Sequence, residues 1–528
     1  MAEAKQGLSL ELQGSSALNS DDIPEVGAIE ALTDAVVVLF QNIDKQLARY
    51  LQTYDEAEKA DLHKSMQRFL GRINSNPLIP LSFRLKVLHT FSKEISFLDV
   101  QLTQSILNAY KVAILLVRDA AENRTEFLLV LARLCGEAIT LAMRVTRLNF
   151  ENYLEPGIQI TRQVHELTRL GLAAIGSAQG GEAKGRKLRM VIHEGLAWYE
   201  IMRISNFYGL TPEGQNIVYT SLKPYIKHIT SEYCQGQEKV HSQPKHVYLV
   251  SAVGGRQNRP QWMTELEVTA NTDRVILDIT SLLPVLKRQL NDVEEHLKNH
   301  KRQQEEIRTE KELYMTHTVT KHLMTSLHKV KRKHERESVK KGNVTLVGSF
   351  NIGLQLPQDS TRIPILPASH KGENTIASNW QAFNISPSGV ALQTDEILNM
   401  PNVTSLVRLV WTNDKGEAKP QWGEVRWRRH LAFGNRRHLG IRFLPRNLSI
   451  WRIQVVGGDS DKQHMVLGMP LKKENRLVVW SNNTQLGIGS VLLIEISRQL
   501  YTCKVMGIVQ RGDNFVTCHL RASRVDGK

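Results

Sequence analysis

Asn384, Ser386 and Gly389 stand in the pattern N-x-S-x-x-G, and Arg332 and Arg336 stand upstream of them as R-x-x-x-R. An amide and a hydroxyl two residues apart on an extended strand project from the same side, where both can hydrogen-bond a ligand. The glycine that follows permits a tight turn or a close backbone approach that a Cβ would block. Arginine adds a fixed charge and a planar fork of donors suited to anionic groups. From Gln421 to Arg446 seven more arginines (Arg426, Arg428, Arg429, Arg436, Arg437, Arg442 and Arg446) meet a single carboxylate, Glu424. With a formal net charge of +15, that concentration implies an anionic partner: nucleic acid, phospholipid or a phosphorylated small molecule.

Other chemistries find little footing. No Ser-His-Asp order, Cys-His pair or metal-binding H-E-x-x-H stands out, and neither Glu424 nor Asp513 finds a plausible acid/base partner, so no catalytic residue is assigned and the chain is not read as an enzyme. His296 and His300 are spaced i, i+4, yet no carboxylate or cysteine nearby completes an obvious open metal site, so neither a metal nor a cofactor is expected. The small, basic segment Gly176 to Lys187 lacks the lysine–serine/threonine pair of a phosphate loop and reads as an inter-helix connection. Aromatics interleaved with the basic residues are few, Trp427 and Phe433 among them, which disfavours nucleic acid. Four cysteines lie far apart (Cys135, Cys234, Cys503, Cys518), which suits a reducing cytoplasm better than a disulfide framework.

The elements that must position these residues divide the chain. A length of 528 residues exceeds one compact core. No apolar run approaches the ~20 residues of a membrane span, the nearest being Phe127 to Met143, which Arg133 and Glu137 interrupt. The start lacks the basic and apolar regions of a signal peptide. Residues 1–26 read as a flexible tail and 27–240 as a helical bundle, with an apolar stripe through Leu102, Ile106, Ala109, Ala113 and Val117. A small mixed α/β connector over 241–283 precedes one long charged helix over 284–330, whose thin leucine seam suits a self-associating arm, packing on the bundle, or a spacer. Alternating strands then fill 331–446 and 447–528, as two small antiparallel β domains. Simple alternation sets Arg426 and Arg428 on one face of their strand and turns Trp427 into the core.

The order R-x-x-x-R, N-x-S-x-x-G, then the strands GEVRW (Gly423 to Trp427) and GIRFL (Gly440 to Leu444), resembles the PilZ domain family over roughly residues 328–446. That resemblance implies a PilZ-like antiparallel β-barrel there, and with the elements read above the expected fold is a multidomain α+β protein, a helical N-terminal bundle followed by that barrel and a second small barrel-like domain. It also implies a receptor for cyclic di-GMP, with Arg332, Arg336, Asn384, Ser386 and Gly389 as ligand-binding residues and the helical region meeting a protein partner. The alternative is a ligand-free adaptor acting only through protein contacts. Nearly fifty residues separate Arg336 from Asn384, longer than the family's usual spacing, and the excess is expected in a loop between Gln355 and Ser378.

Overall fold

A computed structural model describes residues 34–76, 79–94, 98–121, 126–155, 158–178, 182–205, 207–226, 229–234, 246–253, 261–263, 273–303, 307–326, 337–338, 343–347, 377–395, 400–412, 418–431, 436–457, 463–471, 476–481, 483, 485–497, 499–512 and 515–524. The expected tail, residues 1–26, lies outside them. The chain divides into two compact units. Met1–Asn149, Pro156–Ile204 and Tyr225–Ser281 form one, and Phe150–Glu155, Ser205–Pro224 and Leu282–Lys528 form the other.

Helical spacing in the sequence becomes eight described helices: α1 (Asp34–Gln52), α2 (Glu56–Ser75), α3 (Leu81–Lys93), α4 (Val100–Ala121), α5 (Phe127–Glu151), α6 (Ile158–Ser177), α7 (Glu182–Ile204) and α8 (Pro212–Ile226). Asp55 starts α2 by accepting from the Ala57 and Glu58 amides, which have no partner inside the helix. The stripe from Leu102 to Val117 is the buried face of α4. Among the described residues only α4 has the length and hydropathy to cross a bilayer, and half of its most apolar window is buried, so no clear membrane span results. Gly176 and Ser177 end α6, and α7 begins at Glu182.

The first unit also holds a four-stranded antiparallel sheet in the order β1-β4-β2-β3: β1 (Thr230–Cys234), β2 (Tyr248–Ala252), β3 (Gln261–Met263) and β4 (Arg274–Asp278). It begins eleven residues earlier than the expected connector, and among the described residues it has no helix of its own. Glu200 of α7 ties the layers together. Its buried carboxylate accepts from Arg203 (2.8 and 2.9 Å) and from the Ser251 hydroxyl on β2 (2.5 Å), and it meets His165 Nε2 on α6 at 2.8 Å.

In the second unit the single helix expected over 284–330 is two, α9 (Leu282–Gln303) and α10 (Ile307–Ser326). His317 Nε2 lies 3.3 Å from Glu294 Oε1. In a continuous helix the 23 residues between them would span ~35 Å, so the chain doubles back. α9 runs on to Gln303, into the polar stretch that starts at Asn299 and in which the leucine seam lapses, and α10 begins at Ile307.

Next come β5 (Glu337–Ser338), β6 (Asn343–Val347), β7 (Ala377–Ser386), β8 (Gly389–Thr394), β9 (Leu406–Thr412), β10 (Ala418–His430) and β11 (Arg437–Phe443). They form one sheet in the order β5-β7-β6-β9-β10-β11-β8, and a further β7–β8 pairing closes six of them into a ring. Trp380, Leu392, Val407, Leu409, Val425, Leu439 and Ile441 fill its core. The remaining strands, β12 (Ser449–Val455), β13 (Gln463–Pro470), β14 (Arg476–Ser481), β15 (Val491–Ile496), β16 (Gln499–Arg511) and β17 (Val516–Arg524), make a closed barrel in the order β12-β13-β14-β17-β16-β15. Leu297 of α9 joins its core, and a separate apolar cluster, including Leu406, Leu444, Trp480 and Phe515, is shared by the two rings. The architecture is thus a multidomain α+β protein with a helical N-terminal region and antiparallel β-barrels.

The end of β10 receives a segment from the helical half of the sequence. Leu154 bridges His430 in parallel, with the His430 amide donating to the Tyr153 carbonyl (2.7 Å) and the Glu155 amide to the His430 carbonyl (3.0 Å). Arg428 stacks 3.8 Å above the ring centre of buried Tyr153, and Arg429 pairs with Glu155. Tyr208, in a short 3₁₀ turn (Phe207–Gly209), lies under Arg429 at 5.4 Å.

Candidate anion-binding site

Asn384 and Ser386 on β7 and Gly389 at the start of β8 line one concave site on the outer face of the first ring, with Arg426 and Trp427 of β10 and Gly440 and Arg442 of β11. It is a shallow concavity, open to solvent, with polar and apolar groups both in its wall. Ser386 Oγ lies 3.2 Å from Ser388 Oγ and 3.3 Å from the Gly389 carbonyl, so the hydroxyl sits over the β7–β8 turn. A Cβ at Gly389 would run into the Ile441 carbonyl across the β8–β11 pair, which is why glycine stands there.

Trp427 does not fill the core. Val425 pairs with Ile441 and Trp427 with Gly440, leaving Arg426 as an extra residue in β10. Such a bulge shifts the alternation by one, so Trp427 joins Arg426 at the outer site and Arg428 is aimed elsewhere, at Tyr153. Gly440 makes the room, since a methyl group there would overlap the indole.

Two arginines of the seven line the site, and one buried carboxylate holds both. Glu424 is 1% exposed, while Arg426 and Arg442 are 46% and 48% exposed. Arg426 Nη1 donates to Glu424 Oε1 at 3.0 Å and Arg442 Nη2 to Oε2 at 2.5 Å. Gln510 Nε2, from β16 of the second barrel, donates to Oε1 at 2.6 Å. Two guanidinium charges against one carboxylate leave a surplus of about one positive charge facing the cavity. At the far end of the hairpin, burial first and neighbouring arginines second push His430 (Arg437, Arg428) and His438 (Arg429, Arg436) below the ordinary imidazole value. Those imidazoles are neutral at pH 7, so the arginines carry the charge there.

Arg332 and Arg336 lie outside the described residues. The chain resumes at Glu337, one peptide bond beyond Arg336, and there β5 pairs antiparallel with β7, Glu337 opposite Ile385 and Ser338 opposite Asn384. The long spacing between the two motifs does not separate these strands. β6 and β7 are themselves paired, with Val347 opposite Ala377, so the two flanks of the intervening stretch stand side by side; the loop expected between Gln355 and Ser378 lies outside the described residues as far as 376, and Ala377 and Ser378 already belong to β7.

Sequence reasoning missed Glu424, Arg426, Trp427 and Arg442 as members of the site. Their composition flagged anion binding, but a bulge and a cross-strand register decide which arginines face the cavity. Among the described residues no group of three potential metal ligands occurs. Neither a protein-family model nor a curated protein matches the chain.

Proposed function

We propose that the first ring is a PilZ-like receptor for cyclic di-GMP and that the protein is a signalling effector. The observation that carries this reading is the β5–β7 pairing. It brings the strand entered directly from R-x-x-x-R alongside the strand that bears Asn384 and Ser386.

The chemistry of the site suits the ligand. Cyclic di-GMP carries two guanines and two singly charged phosphodiesters. Arg426 and Arg442 offer a net cation to one phosphodiester, and Asn384 and Ser386 offer an amide and a hydroxyl to base or phosphate. The Trp427 indole supplies a flat apolar wall for a base, and Arg332 and Arg336 supply the forks that read guanine O6 and N7. A ligand bonded to both motifs would fasten the R-x-x-x-R segment to the ring. That segment continues from α10, so occupancy would bias the α9–α10 hairpin, a transition of the kind driven by charge-assisted bonds. The helical region serves as the partner-binding output. All four cysteines are free and buried, which suits action in a reducing cytoplasm.

Isothermal titration of the full chain with cyclic di-GMP tests the reading. Saturable binding is expected, weakened at least about tenfold by Arg332→Ala and by Arg336→Ala, the loss typical of one charge-assisted hydrogen bond. Heat signals indistinguishable from dilution, or binding that ignores both substitutions, would leave the ligand-free adaptor as the better account.

A further inference from the structure

The second barrel reaches the site through one side chain. On β16, Ile508 faces the barrel interior, and simple alternation would send Gln510 to the same side. A bulge between Ile508 and Gln510 turns Gln510 outward, and its amide lands on Glu424 Oε1 at 2.6 Å. The first ring uses the same device at Arg426. Two bulges, one in each barrel, thus converge on a single buried carboxylate.

The partners of that carboxylate are informative. Oε2 takes Arg442, and Oε1 takes both Arg426 and Gln510. A hydrogen bond meant only to join two barrels would have no need to end on the group that both cavity arginines share. Burying a carboxylate is costly unless it is well supplied with donors. Gln510 supplies one without adding charge, so Arg426 need not satisfy Oε1 alone and its remaining donors stay directed at the cavity.

We propose that Gln510 is a positioning residue for the anion site, acting through Glu424 to keep Arg426 available to ligand. The proposal rests on the cyclic di-GMP reading for its ligand, and it makes the second barrel part of the receptor. Without the amide, Arg426 becomes the sole donor to Oε1 and is drawn toward the carboxylate.

The test uses the full chain and Gln510→Met, which keeps side-chain length and removes the donor. Cyclic di-GMP titration should show binding weakened about tenfold, within the range for a hydrogen bond to a charged group. In a Glu424→Gln background the same substitution should cost about twofold or less, because the charge through which Gln510 acts is gone. An equal loss in both backgrounds, or no loss in either, would overturn the proposal. A second measurement needs no ligand: labelling of arginines by phenylglyoxal, followed by peptide mass spectrometry. Gln510→Met should slow labelling of Arg426 severalfold and leave exposed Arg446 unchanged. Unchanged labelling of Arg426 would overturn the role of Gln510 even if cyclic di-GMP binds. A wild-type chain that ignores cyclic di-GMP but shows the labelling change would sink the ligand assignment and keep the positioning role.

Discussion

Ser338 stands directly across the β5–β7 pair from Asn384. Register, more than proximity in sequence, therefore relates the two motifs. Inserting Gly-Ser between Arg336 and Glu337 preserves every side chain and moves the arginines by two strand positions, ~7 Å if the extension continues. No hydrogen bond spans that distance. Cyclic di-GMP affinity should fall more than about tenfold by titration calorimetry, with the melting temperature unchanged.

Gly440→Ala tests the tryptophan wall. The added methyl would overlap the Trp427 indole, which must swing away. Stacking of a base on an aromatic side chain is worth about 1–3 kcal/mol, so binding should weaken by about five- to a hundredfold. Trp427→Ala should match it, and the double substitution should add little. Clear additivity in the titrations would place the ligand elsewhere.

Glu200 makes the first unit sensitive to acid. Burial alone would raise its value, but Arg203, followed by His165 and Ser251, overcomes burial and holds the carboxyl at about 2 against an ordinary 4.5. A folded-state value below the unfolded one stabilises above about pH 4.5, and the contribution is lost as pH falls toward 2. Its size is on the order of 3 kcal/mol. Hydrogen exchange in α6 and α7 should be faster in Glu200→Gln than in wild type at pH 7. The difference should shrink between pH 5 and 3.

Arg428→Ala should loosen the segment docked on β10. A desolvated cation–π contact contributes about 2 kcal/mol. The tyrosine beneath it is buried, and Arg428 also donates to the Met400 carbonyl (3.3 Å) and Asn402 Oδ1 (3.1 Å). Exchange of the His430 and Glu155 amides should quicken about tenfold or more, while amides in β14 stay protected. Unchanged exchange at both positions would mean that backbone pairing alone holds the segment.

Periodicity made most of the architecture legible. The helical stripe around Ile106 and the alternation of GVALQT and SVLLIEIS each appear as the expected element, because the pattern of burial is written directly in such residues. β13, QHMVLGMP, carries no such pattern. Its glycine and proline interrupt any alternation, and its neighbours β12 and β14 specify it from outside. The helix reversal leaves in the sequence only a lapse in the leucine seam after Asn299, which a continuous solvated spacer would show equally. Trp427 was misplaced because one extra residue in β10 inverts the alternation. A bulge depends on the partner strand, which a local pattern does not contain. For the same reason Gln510 carried no signal at all, being 86 residues from the carboxylate that it meets.

The pairing of Val347 with Ala377 has an engineering consequence. Twenty-nine residues connect two positions that a short hairpin turn would join, since paired strands lie ~5 Å apart. The ends of that connection are set by the ladder rather than by its length, and loop-closure entropy varies only slowly with length, by ~0.6 kcal/mol per doubling. The connection is thus a splice port. A fluorescent reporter grafted between β6 and β7 would be carried by the same ring that holds Asn384 and Ser386, with both of its ends anchored on neighbouring rungs.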